Sequence, residues 1–436
     1  MTIETELKFI ATPDAASKLA QTLTAFPHQH QAARALSNTY FETDDNQLRR
    51  WDMGLRIRGV DGHYEMTLKT ARKTLGGLHQ RAEYNIDLTE AKLDIARLPD
   101  EVWPQGTDVA ALQQRLQPLF STHFQRETWL VQVGESKVEV VFDRGAVATE
   151  TLSEDLFEVE LELKSGQRSD MMTFAAQLIA MGGLRLGSLS KAARGYQLAQ
   201  GNPARPLRPF PLLKAAPKAT VEEGMIAAMS STLSYWQYHE EVWLRGDASA
   251  QHSVVEALEA LRQAFSLFGA LVPRKASSDL RQKLTALEEL LAEPVKDAQA
   301  LSFSPLAVKT QLALTLWLVE AQWRRWIDAR GQAKLDGSFK RFSDIMLSRI
   351  AADLKETFGD VQQANEYHDK ATRLSRQLLA VHLLAGAYAP KAVTIWLAPW
   401  QQLQQAIAQN QDHWLKSLAG QAIRQPAFWL NSSTPR

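Results

Sequence analysis

The stretch 3–9, IETELKF, decides the fold of the N-terminal half. Glu4, Glu6 and Lys8 alternate with mostly apolar residues, and a period of two is typical of a β-strand with one polar and one apolar face. The stretch 158–164, EVELELK, repeats the pattern far downstream. Both stretches therefore predict strands that place carboxylates and an amine on one face of a sheet.

Basic and polar residues recur on the strands predicted between these two stretches. They alternate with apolar or aromatic neighbours: Arg56, Arg58, Thr67, Lys69, Arg81, Glu83 and Asn85. The simplest interpretation is a sheet with one face in water. However, the acids cluster on the first and last strands and the bases on the middle ones. Closure into a barrel would make the first and last strands neighbours and would enclose acids and bases in one lumen, which we favour.

Composition limits the possible environments and partners. The 436 residues carry 49 basic and 49 acidic side chains and no cysteine, which excludes thiolate metal sites and cysteine nucleophiles. The balanced charge provides no global field for nucleic acid or a membrane surface. Acidic residues near the N-terminus do not resemble a signal peptide, and the apolar runs are too short to span a bilayer. We expect a cytoplasmic protein without nucleic-acid or membrane partners.

The pattern changes near residue 210 and predicts two domains. Short alternating segments predict strands at 3–10, 37–43, 54–60, 63–70, 80–88, 126–133, 137–147 and 157–164, with helices at 13–25, 107–119 and 169–182. Helical periodicity then predicts helices at 222–245, 250–271, 277–292, 304–330, 338–357, 360–386 and 397–419. The fold class is therefore α+β. We predict an eight-stranded antiparallel tunnel with flanking helices at 1–202, a proline-rich linker at 203–219 and an all-α helical bundle at 220–436.

The charged lumen indicates phosphate chemistry assisted by a metal ion. Carboxylate oxygens without thiolates or clustered histidines select hard cations, so Mg²⁺ or Mn²⁺ is expected. Converging Arg and Lys side chains suit phosphoryl oxygens. Asp143 shares parity with Glu139 and Val141 and is expected to point inward. The sequence contains no P-loop and no dinucleotide-binding glycine motif.

These residues resemble the signature of the CYTH domain, the triphosphate tunnel metalloenzymes. The opening Glu4-x-Glu6-x-Lys8 matches the E-x-E-x-K motif of that family, and further landmarks follow in order over residues 1–200. They are the stretches 40–43 (YFET), 55–58 (LRIR), 67–69 (TLK), 81–83 (RAE), 142–145 (FDRG), 158–162 (EVELE) and 190–196 (SKAARGY). The resemblance implies a tunnel that processes triphosphorylated substrates with a divalent metal.

The resemblance also implies a role for each matching residue. Glu4, Glu6 and Lys8 would be catalytic. Metal ligands would be Glu4, Glu6, Asp143, Glu158, Glu160 and Glu162. Substrate phosphates would be bound by Lys8, Arg56, Arg58, Lys69, Arg81, Arg126, Arg144, Lys191 and Arg194. The implied reaction is hydrolysis of inorganic triphosphate to pyrophosphate and phosphate. Alternatives are a nucleoside or thiamine triphosphatase, an adenylate cyclase, or a polyphosphate-binding protein without turnover.

The helical half resembles the CHAD domain, which is similar to polyphosphate-binding modules. In that family a histidine on the first helix precedes repeated arginines, whereas this chain has His252 followed only by Arg262. The second repeat also contains few basic residues, namely His368, Arg373 and Arg376. We therefore expect at most weak polyphosphate binding by this half, and we interpret the two histidines as packing residues.

Overall fold

A computed structural model of the protein describes residues 2–430, apart from the side chains of residues 2, 3 and 72. The chain divides into two compact units. The first runs to Arg205 and also includes Asp297–Leu316. The second consists of Pro206–Lys296 and the chain from Trp317 onward. Within the described residues, none of the helices combines the length and apolarity needed to cross a bilayer.

The first unit is built around one antiparallel sheet. Its strands within the described residues are β1 (Thr2–Ala11), β2 (His28–Glu42), β3 (Gly54–Val60), β4 (His63–Leu75), β5 (Leu78–Leu88), β6 (Gln117–Val133), β7 (Ser136–Ala148), β8 (Ser153–Ser165) and β9 (Leu184–Leu186). The order is β5-β4-β3-β2-β6-β7-β8-β1-β9, and β5 also pairs with β1. The first eight strands therefore close into a barrel, which confirms the predicted eight-stranded antiparallel tunnel. The short β9 pairs with Phe9–Ala11 of β1, beyond the residues that pair with β5.

The barrel is charged inside and apolar outside, as the period-two pattern predicts. On β3 and β4 the outward-facing Leu55, Ile57, Met66 and Leu68 are buried. They pack against residues 93–116, including Ile95 and Leu112. This segment contains the helix α3 (Val109–Arg115) and two short 3₁₀ turns. The helical layer thus buries the apolar face and leaves the polar face for the lumen.

Short helices complete the first unit. They are α1 (Ala15–Leu23), α2 (Gln47–Arg50), α3, α4 (Arg168–Ile179), α5 (Lys191–Ala199), α9 (Ala298–Ser302) and most of α10 (Pro305–Val319). The helix predicted at 107–119 is wrong at its end, because β6 already begins at Gln117. The strands predicted from 37 and 126 are also too short, since β2 begins at His28 and β6 at Gln117.

Long and short helices make up the second unit. They are α6 (Val221–Leu244), α7 (Ala250–Leu267), α8 (Ser278–Leu291), α11 (Ala329–Leu335), α12 (Phe339–Phe358), α13 (Ala364–Asp369), α14 (Ala371–Leu384), α15 (Pro390–Ala408) and α16 (Leu415–Ile423). This confirms the predicted helical C-terminal region. The single helix predicted at 304–330 is wrong, because α10 ends at Val319 and Ala321 takes a left-handed φ of 46°. The helix predicted at 360–386 is likewise divided, at Lys370.

The proline-rich segment between α5 and α6 contains no helix or strand. From Pro206 it belongs to the second unit, where Phe210 is buried and packs edge-on against Tyr235. The backbone N–H of Leu213 donates to the carbonyl of His382 at 3.0 Å. These contacts show that residues 206–213 are packed on helices α6 and α14. The predicted domain boundaries themselves stay a prediction.

Candidate active site in the barrel lumen

A cavity of about 530 Å³ occupies part of the barrel interior. Most of the site residues predicted from the sequence line it. They are Glu4, Glu6, Lys8, Arg56, Arg58, Lys69, Arg81, Arg126, Glu160, Glu162 and Lys191. Convergence of all but Lys191 follows from strand parity, because every second residue of each strand faces inward.

The cavity has an open end and a closed end. Along β1, side-chain exposure falls from 12% at Glu4 to 3% at Lys8. Along β8 it falls from 31% at Glu162 to 0% at Glu158. Solvent therefore reaches the lumen at the Glu4 and Glu162 end, and the site becomes drier toward Lys8.

Helix α5 fills the closed end of the barrel. Its Tyr196 and Leu198 pack with inward-facing aromatic residues such as Tyr40 and Phe120. Gly195 lies so close to the Phe120 ring that a Cβ would come within 2.1 Å of it. This close approach lets α5 enter the barrel and place Lys191, at its first turn, in the lumen.

The far end of α5 is fixed by a buried carboxylate, Glu42. Its oxygens accept hydrogen bonds from the backbone N–H groups of Thr43, Leu48 and Arg49 at 2.7–2.9 Å. They also accept one from the hydroxyl of Tyr196 at 2.5 Å. The position of Lys191 thus depends on anchoring at the opposite end of its helix.

Lys191 lies among three acids at the closed end. Its Nζ is 2.9 Å from Asp143, 2.6 Å from Glu158 and 2.9 Å from Glu160. Burial acts to lower the pKa of Lys191, but the three carboxylates outweigh it and raise the pKa well above its ordinary value. Burial opposes ionisation of each acid too, yet the neighbouring cations lower the pKa values of all three. The cluster is therefore fully ionised and internally neutralised.

The same three acids are close enough to share a metal ion, since ligand oxygens lie within 4.8 Å of one another. Lys191 already supplies a cation there. Asp143 and Glu158 are completely buried and lie outside the set of residues that line the cavity. Asp143 also receives two hydrogen bonds of 2.7 Å from Arg126. These two predicted metal ligands therefore lie at the closed end of the barrel, covered by Lys191 and Arg126, and not on the surface of the cavity.

A different group of carboxylates lies at the open end. Burial raises the pKa of Glu162, and repulsion from Glu4 and Glu139 adds to the effect, although Lys164 partly offsets it. Glu6 is directly opposite Glu162 in the β1–β8 pairing. Crowded carboxylates of this kind suit a hard divalent cation, because oxygen donors and local negative charge are what Mg²⁺ and Mn²⁺ require. The chemistry of the donors Glu4, Glu6 and Glu162 is therefore compatible with the predicted metal.

Arg56 and Arg58, which we call the arginine pair, form a cationic patch in the lumen. Neither makes an ion pair with a carboxylate among the described residues. The Nε of Arg56 is buried without a hydrogen-bond partner, and the Nε of Arg58 donates to Asn38 at 3.0 Å. Burial, together with repulsion from Arg56 and Arg126, lowers the pKa of Arg58. Burial acts to lower the pKa of Arg56, but Tyr40 and Glu83 outweigh it and raise the pKa. Cations that lack an ion-pair partner in a low-exposure site favour binding of an anion.

Two predicted phosphate ligands lie elsewhere. Arg144 is exposed and lines a groove on the outer face of the barrel, beside His123 and Gln125. Arg194 is a buried residue of α5, and its guanidinium contacts Glu158 at 3.3 Å and Glu154 at 2.7 Å. The structure therefore does not bring these two arginines into the cavity.

Several side chains that line the cavity were given no role in the sequence analysis, although Glu83 and Asn85 were placed on the polar face: Tyr40, Glu65, Glu83, Asn85, Glu139, Lys164 and Ser190. Strand parity could have found most of them, since Glu65 shares parity with Thr67 and Lys69, and Glu139 with Asp143. Tyr40 is the most embedded of the group. Burial acts to raise its pKa, but Arg56, Lys191 and Arg58 together lower it.

Comparison with family models is consistent with this geometry. Residues 2–196 match the CYTH domain, and residues 227–419 match the CHAD domain. The protein combines a CYTH domain with a CHAD domain. The CYTH match covers the barrel strands and nearly all of α5, so it includes every predicted site residue.

The protein is also similar to a curated relative and to solved structures. It is 39% identical over 200 residues to a protein named inorganic triphosphatase from Haemophilus influenzae, an alignment that covers 45% of this chain and 54% of the relative. A Hippeastrum protein described by a dominant triphosphatase activity is 19% identical, covers 44% of this chain and 95% of its own, and has a TM-score of 0.35. The CHAD domain of Ricinus communis is 22% identical, covers 50% of this chain and 86% of its own, and has a TM-score of 0.36.

Basic residues of the CHAD domain are mostly engaged or exposed. Arg262 contacts Glu288 at 2.8 Å, and Arg373 donates to Asp353 at 3.1 Å. His368 lies 3.0 Å from Asp412. His252 is exposed, so its interpretation as a packing residue is wrong. Arg262, Arg373 and His368 therefore each already contact an acidic residue of the domain.

Proposed function

We propose that the CYTH barrel hydrolyses inorganic triphosphate to pyrophosphate and phosphate with the help of Mg²⁺ or Mn²⁺. The observation that carries the proposal is the polarity of the lumen. Arginines that make no ion pair within the described residues lie on one part of its wall, and carboxylates lie at its open end. A linear polyanion that bridges to a metal ion would satisfy both regions.

The basic side chains would bind and orient the substrate. The arginine pair can donate several N–H groups to phosphoryl oxygens from a buried position. Lys8 and Lys191 add ammonium charge near the closed end, where low solvent exposure strengthens each electrostatic contact. These groups would also stabilise the charge that develops on the departing pyrophosphate as water attacks the terminal phosphorus.

Glu4, Glu6 and Glu162, with Glu160 further inside, would hold the metal. When bound, such an ion supplies charge neutralisation at phosphoryl oxygens and makes a water molecule more acidic. The pairing of β1 with β8 places Glu6 opposite Glu162, so carboxylates from both strands face the same part of the lumen. Placement of the metal at the open end would leave the inner bases for the rest of the triphosphate.

The lumen favours a bare triphosphate over one that carries an organic group. Charged side chains dominate its lining, and the apolar contribution is limited to residues such as Val141, Leu163 and Ala192. Such a surface provides little stacking or apolar contact for a nucleobase or thiazole ring. We expect kcat/KM for inorganic triphosphate to exceed that for ATP or thiamine triphosphate by about tenfold or more, since only charge is recognised in the transition state.

Phosphate release from a panel of triphosphates tests the proposal. The panel contains inorganic triphosphate, ATP, GTP and thiamine triphosphate, each with Mg²⁺ and with Mn²⁺. A higher kcat/KM for any organic triphosphate would contradict the substrate assignment. Binding of triphosphate without any phosphate release in either metal would instead favour a binding protein without turnover.

A further inference from the structure

The carboxylate of Glu160 forms ion pairs with several cations of the lumen. Glu160 lines the cavity, and its oxygens are 2.6 Å from Lys8, 2.9 Å from Lys191 and 3.3 Å from Arg126. The proposed function assigns Lys8 and Lys191 to the substrate, and the family resemblance implies the same role for Arg126. Their N–H donors are therefore directed at a protein anion when no substrate is bound.

This arrangement sets up a competition inside the lumen. A phosphoryl group that approaches Lys8 or Lys191 must replace a carboxylate oxygen as the acceptor. Only 13% of the Glu160 side chain is exposed, so water cannot fully solvate the carboxylate once its cations turn to the substrate. Removing one partner from a buried ion pair leaves an uncompensated charge, which is strongly unfavourable. A divalent cation at Glu160 would restore the balance.

We propose that Glu160 is an internal counter-anion that makes the binding of triphosphate and of the divalent cation depend on each other. The proposal rests on the proposed function of the same site. Metal binding would draw Glu160 away from Lys8 and Lys191 and release them for phosphate. Triphosphate binding would in turn free Glu160 for the metal. Since coupling between two ligands is reciprocal, each would raise the affinity of the other by the same factor.

The lumen offers matched controls for both charges. Glu65 lines the same cavity, but among the described residues its carboxylate contacts only the hydroxyl of Thr67, at 3.4 Å. Arg58 lines it too, and within the described chain it makes no ion pair. A change at Glu65 or Arg58 therefore alters lumen charge by one unit without breaking the contacts of Glu160.

Calorimetric titration of inorganic triphosphate into the full chain in EDTA provides the first test. Without metal, Glu160→Gln should bind triphosphate about tenfold more tightly than the unaltered protein, because a neutral amide competes less for charged donors. Glu65→Gln should change the affinity by less than about threefold, as expected for a charge without a direct contact. Equal effects of the two variants would overturn the proposal.

Titration of Mn²⁺ without any polyanion, followed by electron paramagnetic resonance, provides the reciprocal test. Lys191→Gln should tighten Mn²⁺ binding about tenfold, since Glu160 and its neighbours lose a competing cation. Arg58→Gln should have a clearly smaller effect, and equal effects would again overturn the proposal. Neither binding test requires turnover. A failure of the unaltered chain to hydrolyse triphosphate would contradict the proposed function, while these comparisons would still decide the role of Glu160.

Discussion

The CYTH and CHAD domains use arginine in different ways. In the CYTH lumen the arginine pair is largely buried and makes no ion pair within the described residues. In the CHAD domain Arg262 and Arg324 each form a bidentate pair with a glutamate, Glu288 or Glu222. A buried cation without a counter-charge is costly unless a ligand supplies the charge, whereas a paired cation already has its partner. Among these four arginines, ion pairing therefore separates the two with an expected ligand from the two that already have a protein partner.

The largest effect should come from a lumen carboxylate. Glu6→Gln should lower kcat by about 10²–10³-fold, because a metal ligand contributes several kcal/mol to stabilisation of the transition state. The exposed Glu289→Gln in α8 is the matched control and should leave kcat unchanged. Steady-state phosphate release in saturating Mn²⁺ measures both. Normal turnover by Glu6→Gln would remove the functional distinction between the two domains.

A lumen arginine should come next in size. Arg58→Gln should lower kcat/KM for inorganic triphosphate by about 10²-fold, as expected when a charge-assisted contact to a buried phosphate is lost. Arg262→Gln in the CHAD domain should change kcat/KM by less than about twofold, since its charge is used by Glu288. If both variants lose activity equally, the contrast between paired and unpaired arginines has no functional meaning.

The third prediction concerns pH and the CHAD domain. His239 is completely buried, accepts a hydrogen bond at Nε2 from the backbone of Arg208 and donates one from Nδ1 to the carbonyl of Tyr235. Burial lowers the pKa values of His239 and His382. A histidine with a lowered pKa in the folded state stabilises fully above its unfolded pKa of about 6.5. That stabilisation is lost as the pH falls through the lower, folded pKa.

The free energy of unfolding should therefore decrease between pH 7 and pH 5, with a slope of up to about 1.4 kcal/mol per pH unit for each histidine. His239→Gln should make this decrease shallower, although it lowers stability at neutral pH. Denaturant titrations at several pH values, with the exposed His28→Gln as control, measure the difference. An unchanged slope in His239→Gln would show that the histidine does not titrate on unfolding.

The smallest effect is expected for long polyphosphate. The CHAD domain should bind it weakly, and Arg262→Gln should change the affinity by less than about twofold, because exposed ion pairs contribute little. Binding measured in the Glu6→Gln background at low and high salt tests this, since a true polyanion site loses affinity steeply with salt. If polyphosphate bound tightly and in a salt-sensitive way, and if Arg262→Gln abolished that binding, the ion pair with Glu288 would not prevent Arg262 from binding a polyanion.

The sequence pattern predicted the barrel because inward-facing polar residues alternate with outward-facing apolar residues along its strands. The alternation in β1 and β8 gave the inward set directly, and the same rule places Arg144 outside, since Asp143 next to it points inward. The expectation for Arg144 followed a family motif instead of strand parity.

Helix boundaries were harder to predict from the sequence than strand faces. Apolar periodicity continues through Ala321 and Lys370, where the backbone conformation ends a helix without a proline or glycine at that position.

The pairing of charges inside the lumen could not be predicted from single strands. Lys191 reaches Asp143, Glu158 and Glu160 only because α5 enters the barrel, and that entry depends on Gly195 against Phe120 and on Tyr196 against Glu42. These contacts join residues from distant parts of the chain. They also divide the predicted metal ligands into Asp143 and Glu158, which are fully buried, and the acids that line the cavity, a distinction that parity alone cannot make.

Barrel closure has a consequence for how the protein folds. The seam between β1 and β8 brings together Lys8 and Glu160, which are 152 positions apart in the chain. Pairing of such distant strands is slow, because much chain entropy is lost before the contact forms. During synthesis, β1 must wait until β8 has left the ribosome before the seam can form. The charges of the lumen therefore meet in a late folding step, so a nascent chain has no assembled site until the barrel has closed.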